Sequence, residues 1–241
     1  GEVPDQLTVG ERFEAWRLTP SVPVTRLPGS QRWDVVNPLP PTGSLGIELG
    51  VAAGSFSARM VRSGRFAQYW GVDAYADGHN IREYKRALQT VGLDQDYRLL
   101  RMRFDQAVDL FPDAYFDFIY FDGYAHSGEE GGRTFRDWYP KLKPGGVMAG
   151  DDYDRVAWPL TVWAVNEMVA QLGVTLSVTE IVSDEPYNRF PSWYFIKPQT
   201  GPTRLEFSLD LDLIAEAESV RIADDRQRKR RKAKETPARE S

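Results

Sequence analysis

Cysteine is absent from all 241 residues. That excludes disulfides, thiolate zinc sites and a cysteine nucleophile, and it accords with a reducing compartment. Histidine is scarce: His79 and His126 are the only two, so a metal would have to be held by oxygen or by one of these rings. No stretch approaches the roughly 18 consecutive apolar residues of a membrane span. The start lacks the charged-then-apolar pattern of a signal peptide, so a cytoplasmic protein is expected. With a net charge of −5, the chain lacks the broad positive surface that displaces counterions from phosphates, and nucleic acid is not an expected partner.

A hydrophobic share of 41% is enough for a substantial core, and the length suits one α/β domain with extensions. Because the sequence opens on Gly1 rather than Met, a trimmed form or a domain of a larger polypeptide is expected. Residues 1–43 are rich in Pro and Gly, with Phe13, Trp16, Arg17, Arg32 and Trp33 scattered among them. They read as irregular backbone with one short helix near 10–17, serving as a packing arm or as a lid over a site.

From Ser44 short apolar runs alternate with amphipathic stretches. SLGIEL, QYWGVDAY, RLLRMRF, FDFIYFDG, VMAGDDY, SVTEIVS and SWYFIKP read as seven strands, and KPGG as a turn. Helical patterns separate the first six, which implies right-handed crossovers. The predicted fold is α/β: a seven-stranded, mostly parallel Rossmann-like sheet with helices on both faces and an antiparallel last strand. This domain spans residues 44–200. Residues 201–241 form a C-terminal helix and a basic tail or linker, RQRKRRKAK, whose alternative is weak contact with an anionic surface. Ligands of open α/β sheets bind beyond the carboxyl ends of the strands. Glu48, Asp73, Asp105, Asp122, Asp151 and Asp152 all fall at or just after such ends.

The first strand runs into GIELGVAAGSF. Gly50 and Gly54 permit a tight turn and a close backbone approach. The next helix offers free N–H groups to a carboxylate or phosphate. The spacing is neither the dinucleotide G-x-G-x-x-G nor a Walker motif. E-x-G-x-x-x-G after the first strand, Asp73 after the second, Phe104-Asp105 after the third and FDFIYFDG for the fourth resemble the class I S-adenosylmethionine-dependent methyltransferases. The resemblance covers about residues 44–198. It implies S-adenosylmethionine as cofactor, with Gly50, Gly54, Ser55 and Phe56 along its methionine part and Glu48 near the amine. It further places Asp73 on the ribose hydroxyls, and Phe104 and Asp105 beside the adenine.

Asp122 follows the fourth strand, and Asp151 and Asp152 follow the fifth. Three carboxylates at one sheet edge repel unless something positive lies between them. A hard divalent cation such as Mg²⁺ would meet that need, although one of the last two acids could instead cap the following helix. The arrangement is similar to that of the metal-dependent sugar O-methyltransferases of the macrolide-tailoring kind. The likeness implies Asp122, Asp151 and Asp152 as metal ligands and His126 of FDGYAHS as general base, one residue further from Asp122 than is usual there. A metal lowers the pKa of a bound hydroxyl, and a histidine with pKa near 6.5 suits its proton. Tyr124, Tyr153, Trp158, Tyr187, Arg189 and Trp193 are candidate sugar contacts, or ordinary loop packing. The expected function is Mg²⁺-dependent O-methylation of a sugar hydroxyl in a glycan, glycolipid or glycosylated metabolite. Catechol or phenol O-methylation and a non-catalytic scaffold are the alternatives. An iron hydroxylase of the same branch fits less well, since three carboxylates beside one histidine suit Mg²⁺ better.

Overall fold

The computed structural model describes residues 19–76, 79–122, 130–155, 157–180 and 188–208, and scattered helical positions between 215 and 234. The predicted helix at 10–17 lies outside them; most of the basic run 226–234 is described, and its described positions are helical.

Eight strands form one mixed, mostly parallel sheet: β1 (Val24–Leu27), β2 (Ser44–Leu49), β3 (Phe66–Val72), β4 (Tyr97–Leu100), β5 (Phe116–Phe121), β6 (Leu142–Gly150), β7 (Leu176–Thr179) and β8 (Trp193–Ile196). Their spatial order is β1-β7-β8-β6-β5-β2-β3-β4. As expected for the last strand, β8 runs antiparallel to both β6 and β7. The predicted count of seven is corrected to eight. The added strand, β1, lies in the segment read as an irregular arm and pairs in parallel with β7 from Val24↔Leu176 to Leu27↔Thr179. Four mostly exposed residues between Pro23 and Pro28 carry no apolar run, and flanking prolines suit a short edge strand.

The KPGG stretch also departs from expectation. It lies within β6, where the pairing with β5 slips between Phe116 and Phe118. The bulge absorbs the glycines without ending the strand.

Among the described residues, five α-helices complete the layers: α1 (Ser55–Arg62), α2 (Ile81–Val91), α3 (Phe104–Ala107), α4 (Arg133–Trp138) and α5 (Pro159–Leu172). Asn80 caps α2 by accepting from the Arg82 N–H, and Gly92 ends it at a φ of 100°. Both sheet faces are covered. On one, Ile47, Leu49, Ile119 and Phe121 pack with Phe135 and Trp138 of α4 and Leu160 and Trp163 of α5. On the other, Phe118 and Tyr120 pack with Phe56 and Met60 of α1 and with Val35 and Val36. Those valines belong to a 3-10 turn, Arg32–Val36, so this part of the arm is built into the core.

The core also reaches past residue 200. Leu205 is fully buried and Phe207 packs beside it, while Gln171 exchanges two hydrogen bonds with the Glu206 backbone. Leu205→Ala is expected to cost about 2–5 kcal/mol of stability, read by urea denaturation. An unchanged midpoint would mean that this segment is not anchored.

Candidate active site

The turn after β2 has Gly50 at φ 94° and Gly54 at φ 86°, in the left-handed region. A Cβ on Gly54 would sit 2.9 Å from the Ala87 Cα, so α1 and α2 touch backbone to backbone there. Asp73, just past β3, holds the turn. Its Oδ2 accepts the backbone N–H groups of Val51 and Ala52 at 3.0 Å each, and its Oδ1 accepts that of Tyr75 at 2.9 Å. The Tyr75 hydroxyl donates to the Ala52 carbonyl at 2.7 Å. Ala52 and Tyr75 both have φ of 50°, a conformation side chains rarely adopt and one concentrated at functional sites.

A cavity of about 370 Å³ opens beside this carboxylate, lined by Asp73–Ala76, Arg103–Asp105, and Glu130, Arg133, Thr134, Asp137 and Trp138 in and before α4. Its size falls within the range of small-molecule sites. Asp73, Phe104 and Asp105 therefore line one cavity. Asp105 accepts from Arg103 Nε at 3.0 Å and Arg133 Nη2 at 3.1 Å. The Arg103 hydrogen bond, reinforced by both guanidinium charges, holds its carboxyl below the ordinary value.

Other predicted cofactor residues lie elsewhere. Glu48 is buried under α1 rather than in the cavity; the Ser57 hydroxyl donates to it at 2.6 Å and is itself 2.8 Å from the Tyr97 hydroxyl. Burial pushes the Glu48 carboxyl up to about 8. Phe56 is also a core residue, stacked on Tyr120 with ring centroids 4.1 Å apart. Ser55 is the exposed first residue of α1. Pattern alone cannot distinguish a side chain beneath a loop from one lining the space above it.

The acidic trio does converge. One oxygen from each of Asp122, Asp151 and Asp152 lies within 4.8 Å of the others. The ladder itself brings them together: the Asp122 N–H donates to the Leu49 carbonyl at 2.8 Å and the Asp151 N–H to the Phe121 carbonyl at 3.0 Å. Asp122 thus sits one strand spacing from the glycine turn. Asp152 has a φ of 60°. Asp151 is buried, and the Ser192 hydroxyl donates to it at 3.0 Å. Burial pushes the Asp151 carboxyl up, and the positive charge of Arg32 opposes that rise.

Arg32 is the site residue that sequence reasoning missed. Its Nη2 lies 2.6 Å from Asp122 Oδ2 and its Nε 3.6 Å from Asp151 Oδ2. The one available signal was the need for a positive charge among three acids, and nothing in the pattern tied a residue ninety positions upstream to that need. The trio nonetheless fits a hard divalent cation, since the donors are all carboxylate oxygens and they converge on one point.

Of the candidate substrate contacts, Trp193 is corrected to a core residue, 1% exposed and packed with Phe121, Phe135 and Phe195. Tyr153 is half-buried, and its hydroxyl donates to Asn166 at 2.7 Å. Arg189 is exposed and Trp158 half-buried. His126, Tyr124 and Tyr187 lie outside the described residues. His79 pairs with Glu83 on α2, away from the trio.

The fold is the Rossmann-like methyltransferase fold, and residues 45–153 match the family model described as a methyltransferase domain. In fold, and in sequence over that stretch, the chain is similar to the S-adenosylmethionine-dependent methyltransferases. Two solved structures share the fold. The N-methyltransferase NodS from Bradyrhizobium japonicum WM9 is 15% identical, with 78% of this chain and 98% of that chain covered at a TM-score of 0.51. A Klebsiella pneumoniae protein described as an O-methyltransferase is 18% identical, with 81% and 92% covered at a TM-score of 0.53. No curated protein matches the sequence.

Glu48 generates a pH prediction. Its native pKa lies above the ordinary value of 4.5, so between there and about 8 the folded state keeps a proton that the unfolded state releases. Stability therefore falls as pH rises through that window, by at most about 1.4 kcal/mol per unit from this group, and levels off above it. Glu48→Gln should make the slope shallower in denaturation measured from pH 5 to 8. An identical slope would show that Glu48 ionises freely in the fold.

Proposed function

We propose that this protein is an S-adenosylmethionine-dependent O-methyltransferase that uses a hard divalent cation to present a sugar hydroxyl of a glycan, glycolipid or glycosylated metabolite. The observation that carries this reading is the convergence of Asp122, Asp151 and Asp152 within 4.8 Å, one strand away from a glycine turn fastened to Asp73.

In this reading the cavity beside Asp73 takes the nucleoside. A carboxylate offers about four lone-pair sites, so Asp73 can hold the turn and still accept ribose hydroxyls. Phe104 supplies an apolar wall for the adenine ring. The glycine turn and the start of α1 would take the methionine end, and S-adenosylmethionine would supply the methyl group. Asp122, Asp151 and Asp152 would hold the cation, and the chemistry it would supply is Lewis acidity toward the acceptor hydroxyl. A vicinal diol suits such a site, because two adjacent oxygens can reach one ion. His126 follows Asp122 closely enough in sequence to accept the hydroxyl proton, a role typically worth about 10²- to 10⁴-fold in rate.

Asp122→Ala and Asp152→Ala are each expected to abolish methyl transfer while leaving S-adenosylmethionine affinity, read by calorimetry, within about threefold of the wild type. Turnover retained in both variants would remove the cation from the mechanism. A panel of methyl glycosides and catechols, run with and without a chelator, tests the acceptor: transfer to catechols alone would replace the sugar reading. Absence of S-adenosylmethionine binding would leave a non-catalytic domain.

A further inference from the structure

The positive charge nearest the acidic trio belongs to the chain itself. Arg32 sits at the start of a 3-10 turn whose Val35 and Val36 are buried, and the neighbouring Trp33 ring lies 3.6 Å from the Arg59 guanidinium on α1. The backbone that carries Arg32 is therefore anchored on the sheet face under α1. Its guanidinium lies 4.6 Å from the centre of the Phe56 ring and 5.3 Å from that of Tyr120. Its Nε donates to the Tyr120 hydroxyl at 2.8 Å and its Nη2 to Asp122 Oδ2 at 2.6 Å. With its side chain 7% exposed, it is a fixed, desolvated cation and not a surface arginine in passing contact.

We propose that Arg32 is the resident counter-ion of the Asp122–Asp151–Asp152 cluster and sets its affinity for a divalent cation, competing with the ion for Asp122 Oδ2. The proposal rests on the cation-site reading above and assigns a positioning role to a residue outside the predicted ligand set. Two positive charges cannot share one carboxylate oxygen at contact distance without mutual repulsion. Entry of an ion would require the guanidinium to yield that oxygen and fall back on Tyr120, Asp151 and the aromatic faces, which ties the state of the cluster to the N-terminal segment. An apolar replacement of similar length removes this guanidinium from Asp122 Oδ2 and from beside Asp151. The cluster should then bind an added ion more tightly and depend on it for stability.

The test is Mn²⁺ binding to the full chain, read by calorimetry without substrate and by thermal melting in chelator and in Mn²⁺. Arg32→Met should bind Mn²⁺ at least tenfold more tightly than the wild type, melt lower in chelator, and gain more from added Mn²⁺. Arg32→Lys, which keeps the charge but not the planar fork, should bind within about threefold of the wild type. Equal or weaker Mn²⁺ binding by Arg32→Met, or tenfold tightening in Arg32→Lys, would overturn the proposal. The two readings fail separately. Binding by Arg32→Met with none by the wild type supports the counter-ion role and removes the native cation. Tight binding by the wild type, unchanged in Arg32→Met, does the reverse. If Arg32→Met does not fold even with Mn²⁺, the Arg32→Lys titration decides alone.

Discussion

Like charges at neighbouring strand ends repel, and the repulsion strengthens as water is withdrawn. Asp122, Asp151 and Asp152 share one edge of the sheet, with Asp151 almost wholly buried, so the local fold depends on a compensating charge. Arg32 supplies one from within the chain, held against the stacked rings of Phe56 and Tyr120. A buried charge pair is a poor source of net stability, yet removing one member is expensive because the other is stranded. The pairing thus constrains where the segment before β2 can lie, and it recruits that segment into the functional end of the sheet.

Asp73 plays the corresponding part at the neighbouring strand. Three backbone N–H groups converge on its carboxylate, which fixes the glycine turn beside the cavity that Asp73 helps to line. The two centres are mechanically continuous. Gly50 donates to the Val72 carbonyl, and Asp122 donates to the Leu49 carbonyl, so the turn is pinned between β3 and β5. The cavity beside Asp73 and the acidic edge are successive positions along one ladder.

Much of this was legible because it follows from periodicity and from the strand-end rule. Asp73, Phe104 and Asp105 meet at the cavity, and the three acids meet at the edge, since crossover topology alone brings consecutive strand ends together. What the sequence hid depends on contacts far apart in the chain. Nothing local distinguishes Arg32 from a solvated arginine. Glu48 and Phe56 occupy the expected stretch but point beneath the turn, where Ser57 and Tyr120 receive them. Trp193 looked like a rim aromatic because it adjoins a polar loop, yet its place in β8 directs it into the core. The edge strand β1 was invisible for a different reason: its pairing is entirely with β7, and its own residues carry no alternation to read.

That edge strand has a kinetic consequence. The Glu180 N–H and Ser30 Oγ, which meet beside the β1–β7 pairing, are 150 positions apart, so the junction closes only after almost all of the intervening chain has been made. Distant pairings of this kind form slowly. Until this one forms, the segment that carries Arg32 is not fastened to the sheet margin, and its guanidinium is not fixed at the acidic edge. Completion of the site and sealing of the sheet's outer margin are thus a single late event in the protein's biogenesis.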